Sequence, residues 1–94
     1  MQGHAEAQFH LGQLYAWGQG VRQDDEHAKQ WYEKAANQGN TEAQIALAKL
    51  YEEGKGMLFS SKSTAKEWYG KACDNGSQEG CDNFKRLKEK TFLW

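Results

Sequence analysis

Residues 6–20, EAQFHLGQLYAWGQG, return at 42–56 as EAQIALAKLYEEGKG, a shift of 36 that superposes Leu11 on Leu47, Leu14-Tyr15 on Leu50-Tyr51, Gly18 on Gly54 and Gly20 on Gly56. Self-similarity at such a period marks a repeat architecture and takes precedence over any local reading. Past Gly56 the shift becomes 37, superposing Ala28-Lys29 on Ala65-Lys66, Trp31-Tyr32 on Trp68-Tyr69, Lys34-Ala35 on Lys71-Ala72 and Gly39 on Gly76. The second copy therefore carries one extra residue in its internal turn. At 37, Glu42 also falls on Glu79, Leu47 on Phe84 and Leu50 on Leu87, after which the match fades. This gives two complete units, 4–39 and 40–76, and the first helix of a third, 77–90, within a single domain.

Within each unit the apolar residues follow helical steps: Ala7, Leu11, Leu14 and Tyr15, then Ala28, Trp31, Tyr32 and Ala35. Gly18 and Gly20 end the first helix, because glycine adopts the left-handed conformation of a helix C-terminus, and Asp24-Asp25 bring acceptors and negative charge to the start of the next. Gly39 and Gly76 close the second helices, with Thr41 and Ser77 placed to cap those that follow. The reading predicts helices over 4–17, 24–38, 41–53, 61–75 and 77–90, an all-α superhelix of helix-turn-helix units. Small residues at 7, 12, 28 and 35, and again at 43, 48, 65 and 72, mark close helix approaches in such a stack.

The composition, 38% hydrophobic and 27% charged with no proline, fits a helical chain of 94 residues. Twelve basic against thirteen acidic residues leave a formal charge of -1, without the basic field that draws phosphate backbones, so nucleic acid is not an expected partner. No apolar run approaches the roughly 20 residues of a membrane span, and the first residues lack the regions of a signal peptide.

No constellation points to catalysis, a metal or a cofactor. His4, His10 and His27 have no Cys, Asp or Glu at ligand spacing on a shared helix face and read as surface residues. The Gly18-Gln19-Gly20 and Gly54-Lys55-Gly56 turns lack the preceding strand and the Gly-Lys-Ser/Thr ending of phosphate loops. Trp31-Tyr32 and Trp68-Tyr69 recur at fixed unit positions and so read as core. Cys73 and Cys81 flank one helix-helix turn; as residues alone they fit a bridge or two free thiols, and without a second ligand pair they fall short of a zinc site.

The pattern Ala5-x-Ala7-x3-Leu11-Gly12-x2-Tyr15-x2-Gly18-x-Gly20-Val21-x2-Asp24-x3-Ala28-x2-Trp31-Tyr32-x-Lys34-Ala35-Ala36-x2-Gly39 closely resembles the Sel-one-like repeat, a relative of the tetratricopeptide repeat, whose own period is 34. The second copy departs in its turn, with Met57-Leu58-Phe59-Ser60-Ser61 in place of Val21-Arg22-Gln23-Asp24-Asp25. The stretch Lys71-Ala72-Cys73-Asp74-x5-Gly80-Cys81 is similar to the cysteine-rich branch typified by the Helicobacter cysteine-rich proteins, which implies a Cys73–Cys81 disulfide between consecutive helices. Ala36 and Gln44 stand at the corresponding places of the first junction. A bridge would imply an exported, oxidising setting, periplasmic or secreted; free thiols would fit the cytoplasm.

The resemblance implies a protein-interaction module that binds a partner protein or peptide, not an enzyme. The tetratricopeptide-like arrangement puts the first helix of each unit on the concave face, with inward positions Glu6, Phe9, Gln13 and Ala16, then Glu42, Ile45, Lys49 and Glu52, then Glu79, Asp82, Arg86 and Glu89. Phe9 and Ile45 would supply apolar anchors, Gln13, Lys49 and Arg86 a row of donors, and Asp82 the polar end. The same positions also fit an ordinary solvated face. A structural or oligomerising segment of a longer array is the alternative, with self-association through exposed repeat ends. The last helix is expected to act as a polar cap through Lys85, Arg86, Lys88 and Lys90, with Phe92-Leu93-Trp94 folding back or mediating self-association.

Overall fold

The computed structural model describes residues 2–92, with side chains from Gly3 to Glu89. It contains five helices: α1 (Gln2–Trp17), α2 (Asp25–Asn37), α3 (Thr41–Glu53), α4 (Lys62–Asp74) and α5 (Gln78–Phe92). Each packs chiefly on its neighbours in sequence, α1 on α2, α2 on α3, α3 on α4 and α4 on α5, the arrangement of an all-α solenoid.

The helix ends follow from local chemistry. Asp24 caps α2 by accepting from the amides of Glu26 and His27, Ser61 caps α4 through the Thr64 amide, and Ser77 accepts from the Gly80 amide at the start of α5. At α3 the cap is Asn40, not Thr41: its side chain accepts from the Ala43 amide, and Thr41 is already the first helical residue. Asn40 aligns with Ser77 at the shift of 37, so the capping position is the same in both units. Each such cap is worth about 1 kcal/mol.

The two internal turns differ in length yet close alike. The Asp24 amide donates to the Tyr15 carbonyl at 2.9 Å, and the Ser61 amide to the Tyr51 carbonyl at 2.7 Å. The extra residue of the second turn is taken up between these anchors, where Leu58 and Phe59 stand 92% and 82% exposed. Gly56 cannot be replaced freely: at φ 75° its missing Cβ would lie 2.7 Å from the Asp25 carbonyl oxygen.

Two clusters make up the core. One joins Ala5 and Phe9 of α1 to Ala28, Tyr32, Ala35 and Ala36 of α2 and Ala43, Leu47 and Leu50 of α3. The other joins Ile45 and Ala48 of α3 to Ala65, Tyr69 and Ala72 of α4 and Leu87 of α5. The expected apolar stripe of α1 is corrected here. Ala7 is exposed and Leu11 and Leu14 are only half-buried, whereas their counterparts Ala43, Leu47 and Leu50 are buried, because α2 covers α3 on that side and no described helix covers α1. The Trp-Tyr pairs also divide. Tyr32 and Tyr69 are core residues, whereas Trp31 and Trp68 are half-buried, each beneath a lysine one turn on: Lys34 Nζ lies 4.5 Å and Lys71 Nζ 4.2 Å from the ring centroids.

Cys73 and Cys81 stand at disulfide distance, with Cα atoms 4.5 Å apart. That approach depends on Gly80, whose missing Cβ would lie 2.8 Å from both the Ala72 Cβ and the Cys73 amide nitrogen.

Candidate functional site

A concavity of about 490 Å³ opens between α1 and α3. Its apolar lining comes from Phe9, Ala16 and Trp17 of α1, Tyr32 of α2 and Ile45, Ala46 and Leu50 of α3; Gln13, Thr41 and Ser77 add neutral polar groups. Asp25, Glu42, Glu53 and Glu79 line it with carboxylates, and Lys49 and Lys55 with ammonium groups. Phe9 and Ile45 are only 7% and 8% exposed, so they form its floor, while Trp17 at 66% forms a projecting wall.

The groove exists because the two long units differ at one register. In the second unit Glu52 fills the space between α3 and α5. Arg86 grips it with two bonds, Nη1 to Oε2 at 2.7 Å and Nη2 to Oε1 at 2.9 Å, and the Tyr69 hydroxyl donates to Oε1 at 3.1 Å. The positions equivalent to Glu52, Tyr69 and Arg86 in the first unit are Ala16, Tyr32 and Lys49. With a methyl group in place of the carboxylate no ion pair or hydrogen bond joins α1 to α3 at this register among the described residues, and Lys49 turns instead to Glu79, 3.0 Å away. Tyr32 is 5% exposed, and no described group bonds its hydroxyl.

The electrostatics differ accordingly. The hydrogen bonds from Arg86 hold the Glu52 carboxyl below its ordinary range against the opposing effect of burial. Burial, with the Asp25 charge adding to it, pushes the Tyr32 phenol up to about 12, so it presents a neutral hydroxyl to the groove.

Of the residues expected to bind, Phe9, Gln13, Ile45 and Lys49 are gathered in this groove, together with Ala16, Glu42 and Glu79. Asp82 and Arg86 are not among its lining residues: Asp82 accepts from Gln78 Nε2 at 2.9 Å on the exposed side of α5, and Arg86 is engaged by Glu52 and Asn83. Trp17, Asp25 and Tyr32 escaped the sequence reading because they lie off the inward stripe of α1 and α3. The signal that could have found them is the mismatch of Ala16 with Glu52 between aligned units.

Other chemistry is sparse. His27 is exposed, as expected, and pairs with the cap residue before its helix: its Nδ1 lies 2.7 Å from Asp24 Oδ2, and its hydrogen bonds hold the Asp24 carboxyl below its usual value. The pair is exposed, and the ring stacks on Tyr15 at 5.0 Å, so it finishes a helix cap. Among the described residues no three His, Cys, Asp or Glu side chains come together as a metal site, and no helix is long and apolar enough to cross a membrane. Of the expected cap, Lys85 and Lys88 are exposed, Arg86 turns to Glu52, and the Lys90 side chain lies outside the described residues. The proposed role of Phe92-Leu93-Trp94 lies outside the described side chains.

The Sel1 repeat family model matches residues 5–40 and 41–77. Among solved structures, the Sel1 repeat protein from Oxalobacter formigenes superposes with a TM-score of 0.89 at 36% identity, over 96% of this chain and 37% of that one. A protective antigen of uropathogenic Escherichia coli that displays an SLR fold matches with a TM-score of 0.79 at 38% identity, over 84% of this chain and 17% of its own. Helicobacter pylori cysteine rich protein B matches with a TM-score of 0.79 at 28% identity, over 83% of this chain and 58% of its own. The chain thus spans less than two thirds of each of these relatives. A search of curated proteins gives no match. Repeats matched in tandem over most of the sequence, and a solenoid shared with these structures, make this chain a member of the Sel1 repeat family.

Proposed function

We propose that this chain is a protein-binding module, not an enzyme, and that its groove between α1 and α3 receives an extended segment of a partner protein. The observation that carries the reading is the space left at Ala16, which the second unit fills with Glu52 and its bonds to Arg86 and Tyr69. A segment entering there meets an apolar floor, an exposed indole and a neutral phenol without a partner in the described chain, the mixture of apolar anchors and few polar groups that specific sites use. Phe9 and Ile45 act through the small surface they show, and Gln13 stands at the edge. Lys49 is already paired and contributes at most by exchanging Glu79 for the ligand. Asp82 and Arg86 lie outside the contact surface, Arg86 serving to close the neighbouring space.

The test is to close the groove by copying the second unit into the first. Ala16→Glu with Lys49→Arg recreates the Glu52–Arg86 bridge and should leave helicity unchanged while abolishing binding of peptides selected on the wild-type protein. Peptides that bind the closed variant as tightly as the wild type would refute the groove.

A second reading rests on the uncovered flank of α1. Ala7, Leu11 and Leu14 repeat the residues that are buried in α3, so this flank suits the second helix of another unit, supplied by a longer array or by another copy of the chain. Light scattering across a concentration series tests self-association; Leu11→Glu should abolish any multimer that forms, and one that persists would remove this flank as its cause.

A further inference from the structure

The groove that we read as the binding site carries four carboxylates, Asp25, Glu42, Glu53 and Glu79, against two ammonium groups, Lys49 and Lys55. Both lysines are taken: Lys49 by Glu79 at 3.0 Å and Lys55, more loosely, by Glu53 at 3.8 Å. Asp25 and Glu42 have no ion-pair partner among the described residues. They sit in the first turns of α2 and α3, where each helix dipole offsets about half a charge, so an excess of negative charge remains.

We propose that the groove selects segments in which a lysine or arginine stands beside a large apolar residue. The proposal rests on the groove reading and adds its chemistry. The apolar side chain would cover the floor of Phe9, Ile45 and Ala46, and the cation would lie between the free carboxylates and the exposed face of Trp17, where a ring quadrupole favours positive charge. The Tyr32 ring is buried, while its hydroxyl has no partner in the described chain and opens on the groove, where it can bond the segment's backbone. An acidic segment would meet the opposite field and would have to break the Lys49–Glu79 pair to find a counter-ion.

A random dodecapeptide library displayed on phage, selected on the wild-type chain, tests this. Peptides are first sorted by whether they lose binding to the closed variant A16E/K49R and to Trp17→Ala, the latter at an exposed position where folding is not at risk; circular dichroism confirms that every variant is folded. Groove-dependent peptides should be enriched in Lys or Arg adjacent to Phe, Leu, Ile or Trp. Their affinity should fall about three- to tenfold in Asp25→Asn/Glu42→Gln and should weaken as salt is raised. Groove-dependent peptides with no basic enrichment, or with affinity unchanged in the Asn/Gln variant, overturn the cation preference and leave the groove standing. A selection that yields no peptide, or only peptides indifferent to both groove variants, overturns the two together.

Discussion

At the junction of α2 with α3 the buried amide of Gln44 donates to the Ala36 carbonyl at 3.2 Å; at the junction of α4 with α5 the equivalent residues are Cys81 and Cys73, at disulfide distance. The polar ladder continues outward, Asn75 Nδ2 donating to Gln44 Oε1 and, one unit earlier, Gln38 Nε2 donating to Gln8 Oε1. One register of the repeat thus holds Gln8, Gln44 and Cys81, and the residue before it decides which chemistry is possible. Beside Gln44 stands Ala43, whose methyl is buried in the first core; beside Cys81 stands Gly80, where a methyl group has no room. A hydrogen bond tolerates the helix separation that a Cβ imposes, whereas the cysteine pair comes with a helix approach that leaves no room for one at Gly80. The same pair of units differs on its concave side, where Glu52 and Arg86 seal one space and Ala16 leaves the other open.

The comparison can be broken most forcefully at its shared core. Leu47→Ala should cost about 3 kcal/mol in urea denaturation, because Leu47 is fully buried where α3 meets α2, while Leu11→Ala at the equivalent, uncovered position should cost less than about 1 kcal/mol. Equal losses would mean that the flank of α1 is covered in solution. Next in size, reduction of the oxidised protein, or Cys73→Ser with Cys81→Ser, should remove about 2–3 kcal/mol by freeing a short loop in the unfolded chain. Intact mass with and without reductant gives the direct check, and two titratable thiols in the folded, air-exposed protein would refute the bridge.

The glycine rule is sharpened by exchange. Gly80→Ala should destabilise by about 2 kcal/mol through overpacking against Ala72 and the Cys73 backbone. Conversely, Ala36→Cys with Gln44→Cys should oxidise poorly until Ala43→Gly is added; complete oxidation of the first pair alone would show that helix spacing does not depend on that position. The smallest effect is the response to acid. Glu52 has a lowered carboxyl pKa through its bonds to Arg86, so it contributes stability above the unfolded value, near 4.3, which is lost as pH falls toward the lower folded value. Thermal unfolding between pH 6 and 2 should fall less steeply in Glu52→Gln. An unchanged slope would place the acid response elsewhere.

The five helices were legible because glycines at fixed offsets and apolar residues at helical steps are properties of the local sequence. Capping by Asn40 was legible in principle, since the alignment sets it beside Ser77, but Thr41 offers the same chemistry one residue later. The burial of Leu11 and Leu14 was not legible. They have the same pattern as Leu47 and Leu50, and only the presence of a covering helix separates the two cases. Arg86 looked free because its partner, Glu52, lies 34 residues back and on another helix. The groove lies where Ala16 stands against Glu52, so a departure from the repeat says more about the site than the repeat itself.

The second internal turn has a use beyond its own unit. It accommodates an added residue between two unchanged closures, one on Tyr51 and its counterpart on Tyr15, so helix register is uncoupled from turn length there. Lengthening a flexible loop costs only about 0.6 kcal/mol for each doubling. A foreign sequence grafted between Leu58 and Phe59, both already in solvent, would be displayed from the edge of the solenoid without disturbing either junction, which makes this turn the natural point at which to attach an epitope, a fluorophore or a whole second domain.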